Sequence, residues 1–129
     1  MNGSFLLDTN IIIALFAGEV GIQRNLARDP SVFVPSIAIG ELYYGALASG
    51  RKESNIHRIE DFIRVAAVLP CDADTALRYG EVKSQLRHKG TPIPENDVWI
   101  AAIAFQHGLT LVSRDPHFNQ VEGISQESW

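Results

Sequence analysis

Four acidic residues of this 129-residue chain stand beside apolar segments, where a charge is costly. Asp8 interrupts the run FLLDTNIIIALF, Glu41 lies within an apolar helical pattern, Asp97 precedes VWIAAIAF, and Asp115 follows LTLVS by two residues. Burying an unpaired carboxylate costs several kcal/mol or forces it to take up a proton. A chain selected only for stability would rarely place Asp8 there, so we expect a compensating partner.

Each acid taken singly also has a purely structural explanation. Asp8 is suited to capping the helix that follows it, and Asp97 would be favoured by the dipole of the helix whose first turn it occupies. Glu41 lies about 200° around a helix from the apolar Ile39, as a solvated surface glutamate would. Asp115 precedes a proline and is typical of a turn. No single acid decides between structure and chemistry.

The elements that position these acids alternate along the chain. Short apolar runs bounded by turn or cap residues predict strands at 5–7, 32–35, 65–70 and 109–113. Helical patterns follow in the IIIALF segment and at 39–47, 72–89 and 98–105. Strands separated by helices predict one α/β domain over residues 1–129, with a central parallel sheet and helices on both faces.

Helix ends and buried faces are also predicted by residue type. Gly90 and Gly108 stand where helix-terminating glycines are expected, and Asn96 is suited to capping the last helix. The helix at 72–89 should turn a set of apolar side chains toward the core: Ala76, Leu77, Tyr79, Val82 and Leu86.

In a parallel sheet, the strand ends and the starts of the following helices converge on one edge. Asp8, Asp97 and Asp115 would then be neighbours, with Glu41 in reach from the next helix. Clustered carboxylates repel one another unless a cation neutralises them, and oxygen ligands suit Mg²⁺ or Mn²⁺. Such a site suits phosphodiester hydrolysis. The four histidines are scattered, so we interpret them as surface residues or helix-end partners rather than ligands: His57, His88, His107 and His117.

Composition narrows the class of protein. The formal net charge of -4 argues against a protein that coats nucleic acid through bulk positive charge, although a local basic face stays possible. There is no apolar run of about 18 residues and no Lys or Arg before the first apolar run, so we expect a soluble cytoplasmic protein. Cys71, the single cysteine, is expected to be a free core thiol.

Four segments together carry a resemblance to a known family. LDTN at 7–10, PSIAIGELYYG at 35–45, IPENDVWIAAIA at 93–104 and LTLVSRDPHF at 109–118 resemble a PIN-domain ribonuclease of the VapC toxin type. The resemblance implies a three-layer α/β/α sandwich around a parallel sheet. It also implies a Mg²⁺- or Mn²⁺-dependent acidic site that cuts RNA, leaving a 3′ hydroxyl and a 5′ phosphate.

The resemblance assigns roles to individual positions. It implies that Asp8, Glu41 and Asp97 are direct metal ligands. Asp115, the last acid, would bind a second ion or act through water. Ser113 stands where threonine is commoner and keeps the hydroxyl. The polar residues that would orient the ligands are Thr9, Asn10, Ser36, Asn96 and Ser113.

The family also implies partners: a homodimer, and a small antitoxin that buries a segment in the acidic groove. RNA phosphates would be contacted by basic residues in two places, Arg51 with Lys52 and Arg87 with Lys89. A solvated helix end explains the second pair equally well.

Rival interpretations of the same sequence predict different chemistry. A PIN-like module that binds RNA or a protein without cutting shares every motif. A phosphoacceptor receiver domain would need a late lysine after the last strand, and a phosphatase with an aspartyl nucleophile usually has a second aspartate where Asn10 stands. The retained acids favour a metal-dependent ribonuclease over these rivals.

Overall fold

A five-stranded parallel sheet forms the centre of the fold in a computed structural model that describes residues 3–28 and 30–129. The strands are β1 (Ser4–Leu7), β2 (Ser31–Pro35), β3 (Ala67–Leu69), β4 (Thr110–Val112) and β5 (Gln126–Glu127). Their order is β3-β2-β1-β4-β5, and every neighbouring pair is parallel. The central strands β1 and β4 align Leu7 with Val112, so their carboxyl ends meet.

In the part of the chain that the structure describes, six α-helices and one 3₁₀ helix surround the sheet. They are α1 (Thr9–Phe16), α2 (Val20–Leu26), α3 (Ser36–Leu47), α4 (Lys52–Val65), α5 (Ala73–Lys89), α6 (Glu95–His107) and the 3₁₀ helix Pro116–Gln120. Helices α1 to α4 bury the sheet face that carries Leu7 and Val34. The other face, with Leu6 and Leu111, packs against α5, α6 and the 3₁₀ helix. The predicted α/β/α sandwich is confirmed.

The strand predictions are correct in position and differ in extent. The predicted strand 65–70 is observed only at Ala67–Leu69, because Val65 ends α4 and is 85% exposed. Helices α2 and α4 and the two-residue strand β5 were not predicted. The sequence of α4 does carry a helical apolar pattern that the sequence analysis did not use: Ile56, Ile59, Phe62 and Ile63 pack against the core.

Both predicted helix-terminating glycines are confirmed. Gly90 and Gly108 adopt left-handed conformations, with φ of 75° and 63°, after α5 and α6. The prediction that Asn96 caps α6 is wrong. Helix α6 begins at Glu95, two residues before the start that an Asn96 cap requires, so Asn96 lies inside the first turn; within the described residues the helix has no side-chain cap.

The predicted core face of α5 is only partly correct. Val82 and Leu86 are buried, and Tyr79 packs against the same cluster. Ala76 and Leu77, however, are exposed, Leu77 by 60%, because the buried residue of the first turns is Thr75. Thr75 is fixed there by a capping box with Asp72.

Two expectations from composition can be compared with the structure. Cys71 is exposed rather than buried, because it lies in the connection between β3 and α5, outside the sheet layers. Over residues 3–28 and 30–129, the helices are all too short or too polar to cross a membrane.

Candidate active site

Asp8 and Ser113 occupy the adjoining ends of β1 and β4. The Asp8 backbone N–H donates to the carbonyl of Val112 at 3.0 Å, which continues the strand pairing. The Asp8 carboxylate then accepts from the Thr9 N–H at 2.8 Å and from the Ser113 hydroxyl at 2.7 Å. Asp8 therefore caps α1 and is also tied to the end of the neighbouring strand.

Asp97, Asp115 and His117 form a second group at the same edge. Nδ1 of His117 lies 2.8 Å from Oδ1 of Asp115 and 3.3 Å from Oδ2 of Asp97. One ligand atom from each of the three residues lies within 4.8 Å of the other two. The Asp115 N–H donates to the Ser113 hydroxyl at 3.0 Å, which links this group to Asp8.

The raised pKa of Asp97 reflects the short distances between the acids. Burial raises the pKa of Asp97 to about 6, helped by the negative charges of Asp115, Asp8 and Glu41, while His117 acts in the opposite direction. Burial likewise raises the pKa of Asp8, although its bonds from Ser113 and Thr9 oppose that rise. The structure thus brings the four predicted acids within electrostatic range of one another.

Glu41 reaches this edge from α3. Burial raises its pKa, the Thr9 hydroxyl lowers it, and the charge of Asp8 raises it further. Among the described residues, the buried Thr9 hydroxyl has no partner at ordinary hydrogen-bond geometry. A cavity of about 650 Å³ brings together four of the predicted residues: Thr9, Ser36, Glu41 and Asn96.

Asn10 contacts Arg114, a residue that the sequence analysis did not single out. Its Oδ1 accepts from the Arg114 N–H at 3.4 Å. The Arg114 guanidinium pairs with both carboxylate oxygens of Glu19, at 3.2 and 2.8 Å, and Nε donates to the Trp129 main-chain oxygen at 3.0 Å. Arg114 therefore ties the strand end that carries Asp115 to the start of α2. Its position between two predicted site residues was the only signal.

The four basic residues proposed to contact RNA lie outside the acidic group. Arg51 and Lys52 are exposed where α4 begins, and Arg87 is exposed in the last turn of α5. Lys89 donates to the carbonyl of Gln120 at 3.3 Å, at the end of the 3₁₀ helix that follows Asp115. None of the four lines the cavity beside Glu41 or the cavity of about 370 Å³ beside Asp115.

His117 is a surface histidine that also belongs to the acidic group, which the sequence interpretation did not anticipate. Its side chain is 49% exposed, as a surface histidine would be, yet its ring contacts two of the four acids. The signal was local: His117 follows Asp115 by two residues, and its N–H donates to the Asp115 carboxylate at 2.9 Å in the turn.

The donor set fits a divalent cation. Among the described residues, no lysine or arginine forms an ion pair with Asp8, Glu41, Asp97 or Asp115. Carboxylates that repel one another, with no cationic side chain apart from the partial contribution of His117, are stabilised by a bound metal ion. Hard oxygen donors are the ligands of Mg²⁺ and Mn²⁺.

Known proteins share this sequence and fold. The PIN domain family model matches residues 5–124. "Ribonuclease VapC2" of Haemophilus influenzae is 37% identical over 129 residues, which is 97% of each chain. The "tRNA(fMet)-specific endonuclease VapC" of Salmonella typhimurium is 34% identical over 128 residues, again 97% of each chain. The solved structure of DNA-bound VapBC from Salmonella typhimurium has a TM-score of 0.89 at 34% identity, over 100% of this chain and 99% of that one. The chain described here therefore belongs to the PIN-domain family, among the VapC ribonucleases.

Proposed function

We propose that this protein is a metal-dependent endoribonuclease, the toxin of a type II toxin-antitoxin pair, and that its acidic edge hydrolyses RNA phosphodiester bonds. The observation that carries the proposal is the convergence of Asp8, Asp97 and Asp115 at the ends of β1 and β4, with no lysine or arginine from the described residues paired to them. Carboxylates gathered in this way repel one another, and a bound cation would stabilise them.

Each side chain has a role in this proposal. Asp8, Glu41 and Asp97 hold a divalent ion directly, and Asp115 binds a second ion or acts through water. Ser113 orients the Asp8 carboxylate, and Thr9 lies against Glu41. Asn10, Ser36 and Asn96 complete the polar lining. A bound Mg²⁺ or Mn²⁺ lowers the pKa of water and offsets the charge that develops on the phosphate.

The residues themselves set up an in-line displacement. The carboxylates fix the position of the reacting phosphate relative to the attacking water, and the partly buried edge limits competing water. The expected products carry a 3′ hydroxyl and a 5′ phosphate, and no covalent intermediate with the protein is required. Arg51, Lys52, Arg87 and Lys89 would hold more distant phosphates of the RNA.

A small antitoxin and a second copy of the chain are the proposed protein partners. The solved structure of VapBC-5 from Mycobacterium tuberculosis, which is 26% identical to this chain, is that of a member of the VapBC family of toxin-antitoxin systems. On this chain, Ile13 is 55% exposed and Tyr44 is 78% exposed, and both line the cavity that contains Glu41. An apolar antitoxin segment would cover these side chains and block the acids beside them.

We also propose that residues 1–129 act as one PIN-like domain in the cytoplasm. The family model spans most of the chain, and its helices pack on the two faces of one sheet. An exposed free thiol at Cys71 and an RNA substrate both suit a reducing, cytoplasmic compartment.

Cleavage of total RNA by the purified full chain tests the proposal. Discrete cuts are expected with Mn²⁺ or Mg²⁺, none with EDTA, and none with Asp8→Asn, which keeps the shape of the side chain and removes its charge. Asp74→Asn is the matched control, because Asp74 is an exposed aspartate in the first turn of α5. Sequencing of the cut ends identifies the RNA and the 5′ phosphates.

The same experiment distinguishes the alternative of a non-catalytic RNA- or protein-binding module. A folded, metal-loaded and antitoxin-free protein that retains RNA without cutting it would favour that module. Cuts that persist in Asp8→Asn would contradict the assignment of the site.

A further inference from the structure

The His117 ring contacts two of the acids, although its side chain lies at the surface. Nδ1 faces Oδ1 of Asp115 at 2.8 Å and Oδ2 of Asp97 at 3.3 Å. The two acids come from different elements, the start of α6 and the segment after β4. A single ring nitrogen therefore faces both acids at the point where they approach one another.

These separations match the spacing of donors around one ion. In an octahedral site with bonds of about 2.1 Å, neighbouring donor atoms lie about 3.0 Å apart, because they subtend a right angle at the ion. Both nitrogen-to-oxygen distances fall within a few tenths of an ångström of that value. Nδ1 can thus occupy a position next to either carboxylate oxygen on one ion, and the three donor atoms lie within 4.8 Å of one another.

We infer that Nδ1 of His117 is a direct ligand of the second divalent ion, the one proposed for Asp115 and bound between Asp115 and Asp97, and that it biases this site toward Mn²⁺ and other first-row transition ions over Mg²⁺. The inference rests on the proposed function, because it assigns a further ligand to the same acidic site. Imidazole nitrogen is a softer donor than carboxylate oxygen, so it raises transition-ion affinity more than Mg²⁺ affinity.

The backbone around His117 holds the ring in place. Its N–H donates to the Asp115 carboxylate at 2.9 Å, and Pro116 opens the 3₁₀ helix between them. Phe118, the next residue, is fully buried in the core. Ligation through Nδ1 requires a neutral ring with its hydrogen on Nε2, and the side chain is half-exposed.

A structural role is the competing explanation, because the ring also hydrogen-bonds both carboxylates. Electron spin echo spectroscopy of the Mn²⁺-loaded full chain separates the two roles, since it detects nitrogen bound directly to Mn²⁺. A ¹⁴N coupling is expected in the wild type, and labelling the histidines with ¹⁵N should change it. The label shows that the nitrogen belongs to a histidine, and His117 is the histidine that shares a donor group with the acids among the described residues.

Variants give the second measurement. His117→Asn should lose the nitrogen coupling and bind Mn²⁺ at least about tenfold more weakly, while its Mg²⁺ affinity changes less. His107→Asn, at the opposite end of α6 from Asp97, is the matched control and should keep both properties. Affinities are measured by Mn²⁺ titration in the absence of RNA.

Two results would overturn the inference: bound Mn²⁺ with no nitrogen coupling in the wild type, or a coupling that persists in His117→Asn. If the protein cuts RNA with Mn²⁺ but shows no nitrogen coupling, the ribonuclease proposal stands and only the ligand assignment fails. A folded wild type that binds no Mn²⁺ and cuts no RNA overturns both.

Discussion

Asp97→Asn should stabilise the protein in the absence of metal while abolishing its activity. Asp97 is 9% exposed and sits among three other acids, which together with burial raise its pKa to about 6. The ionised carboxylate is therefore a cost to folding at neutral pH. Asparagine keeps the size of the side chain and removes the charge.

The size and sign of the effect follow from that pKa. A rise from 3.8 to about 6 corresponds to about 3 kcal/mol as an upper bound. Water reaches part of the site and screens the charge, so we expect about 1 to 2 kcal/mol. Because the folded-state pKa is raised, the cost is present above about pH 6 and disappears as the pH falls toward 4. Loss of the favourable helix-dipole contact offsets less than about 1 kcal/mol.

Thermal unfolding in EDTA at pH 7.5 and pH 5 measures the difference. At pH 7.5 the midpoint of Asp97→Asn should lie above that of the wild type, by about 4 °C for each kcal/mol in a chain of this size. At pH 5 the gap should shrink. With saturating Mn²⁺, the wild type should have the higher unfolding midpoint, because Mn²⁺ at 100 times Kd adds about 2.7 kcal/mol to its free energy of unfolding. Asp74→Asn, the first-turn aspartate of α5, should show no such gain. A lower midpoint for Asp97→Asn in EDTA at pH 7.5 would refute this reasoning.

The same site leads to three further predictions. Mn²⁺ affinity, measured by calorimetry, should fall as the pH drops below about 6, because the metal must then displace the proton of Asp97. A proton should be released on binding. An affinity that does not depend on pH would contradict this prediction. Ser113→Ala should lower kcat by about tenfold, because Asp8 loses a buried hydrogen bond. Ser113→Thr keeps the hydroxyl and should retain activity. An equal loss of activity in both variants would argue against the role of the hydroxyl. Replacing both basic residues at 51 and 52, or both at 87 and 89, with glutamine should raise KM and leave kcat unchanged. The dependence of RNA affinity on salt concentration should become less steep, by about 1 in the log–log slope for each phosphate that is no longer neutralised. An unchanged slope would show that the pair does not contact RNA phosphates.

The acids of the site were predictable because their positions follow from topology. Asp8 and Asp115 come just after runs that are recognisable as strands, and Asp97 opens a strongly apolar helix. Parallel strands bring such positions to one edge whatever the details of packing. Glu41 was predictable for a related reason, since its place on α3 opposite the apolar stripe directs it out of the core and toward the cavity it lines.

The contacts of His117 and Arg114 depend on pairings that sequence spacing does not reveal. Arg114 meets Glu19 and Trp129, and His117 meets Asp97, across separations that only the tertiary fold closes. The exposed Leu77 shows the same limit. Helical spacing identifies a candidate apolar face, but the neighbours decide which side chains it covers, and in α5 Thr75 takes the buried place.

For Asp8 and Asp115, the structural role of capping a helix and the chemical role of binding a metal support each other. Asp8 caps α1 and Asp115 caps the 3₁₀ helix, so each carboxylate is held by backbone N–H groups at a defined orientation. Capping fixes one oxygen and leaves lone pairs on both for a metal, and this preorganisation is what a binding site requires. Asparagine at position 8 can still accept the Thr9 bond, so Asp8→Asn should keep the helix start and lose metal affinity, whereas Asp8→Ala should lose both. Comparing the unfolding midpoints of the two variants in EDTA separates the cap from the ligand, and equal midpoints would show that the cap contributes nothing.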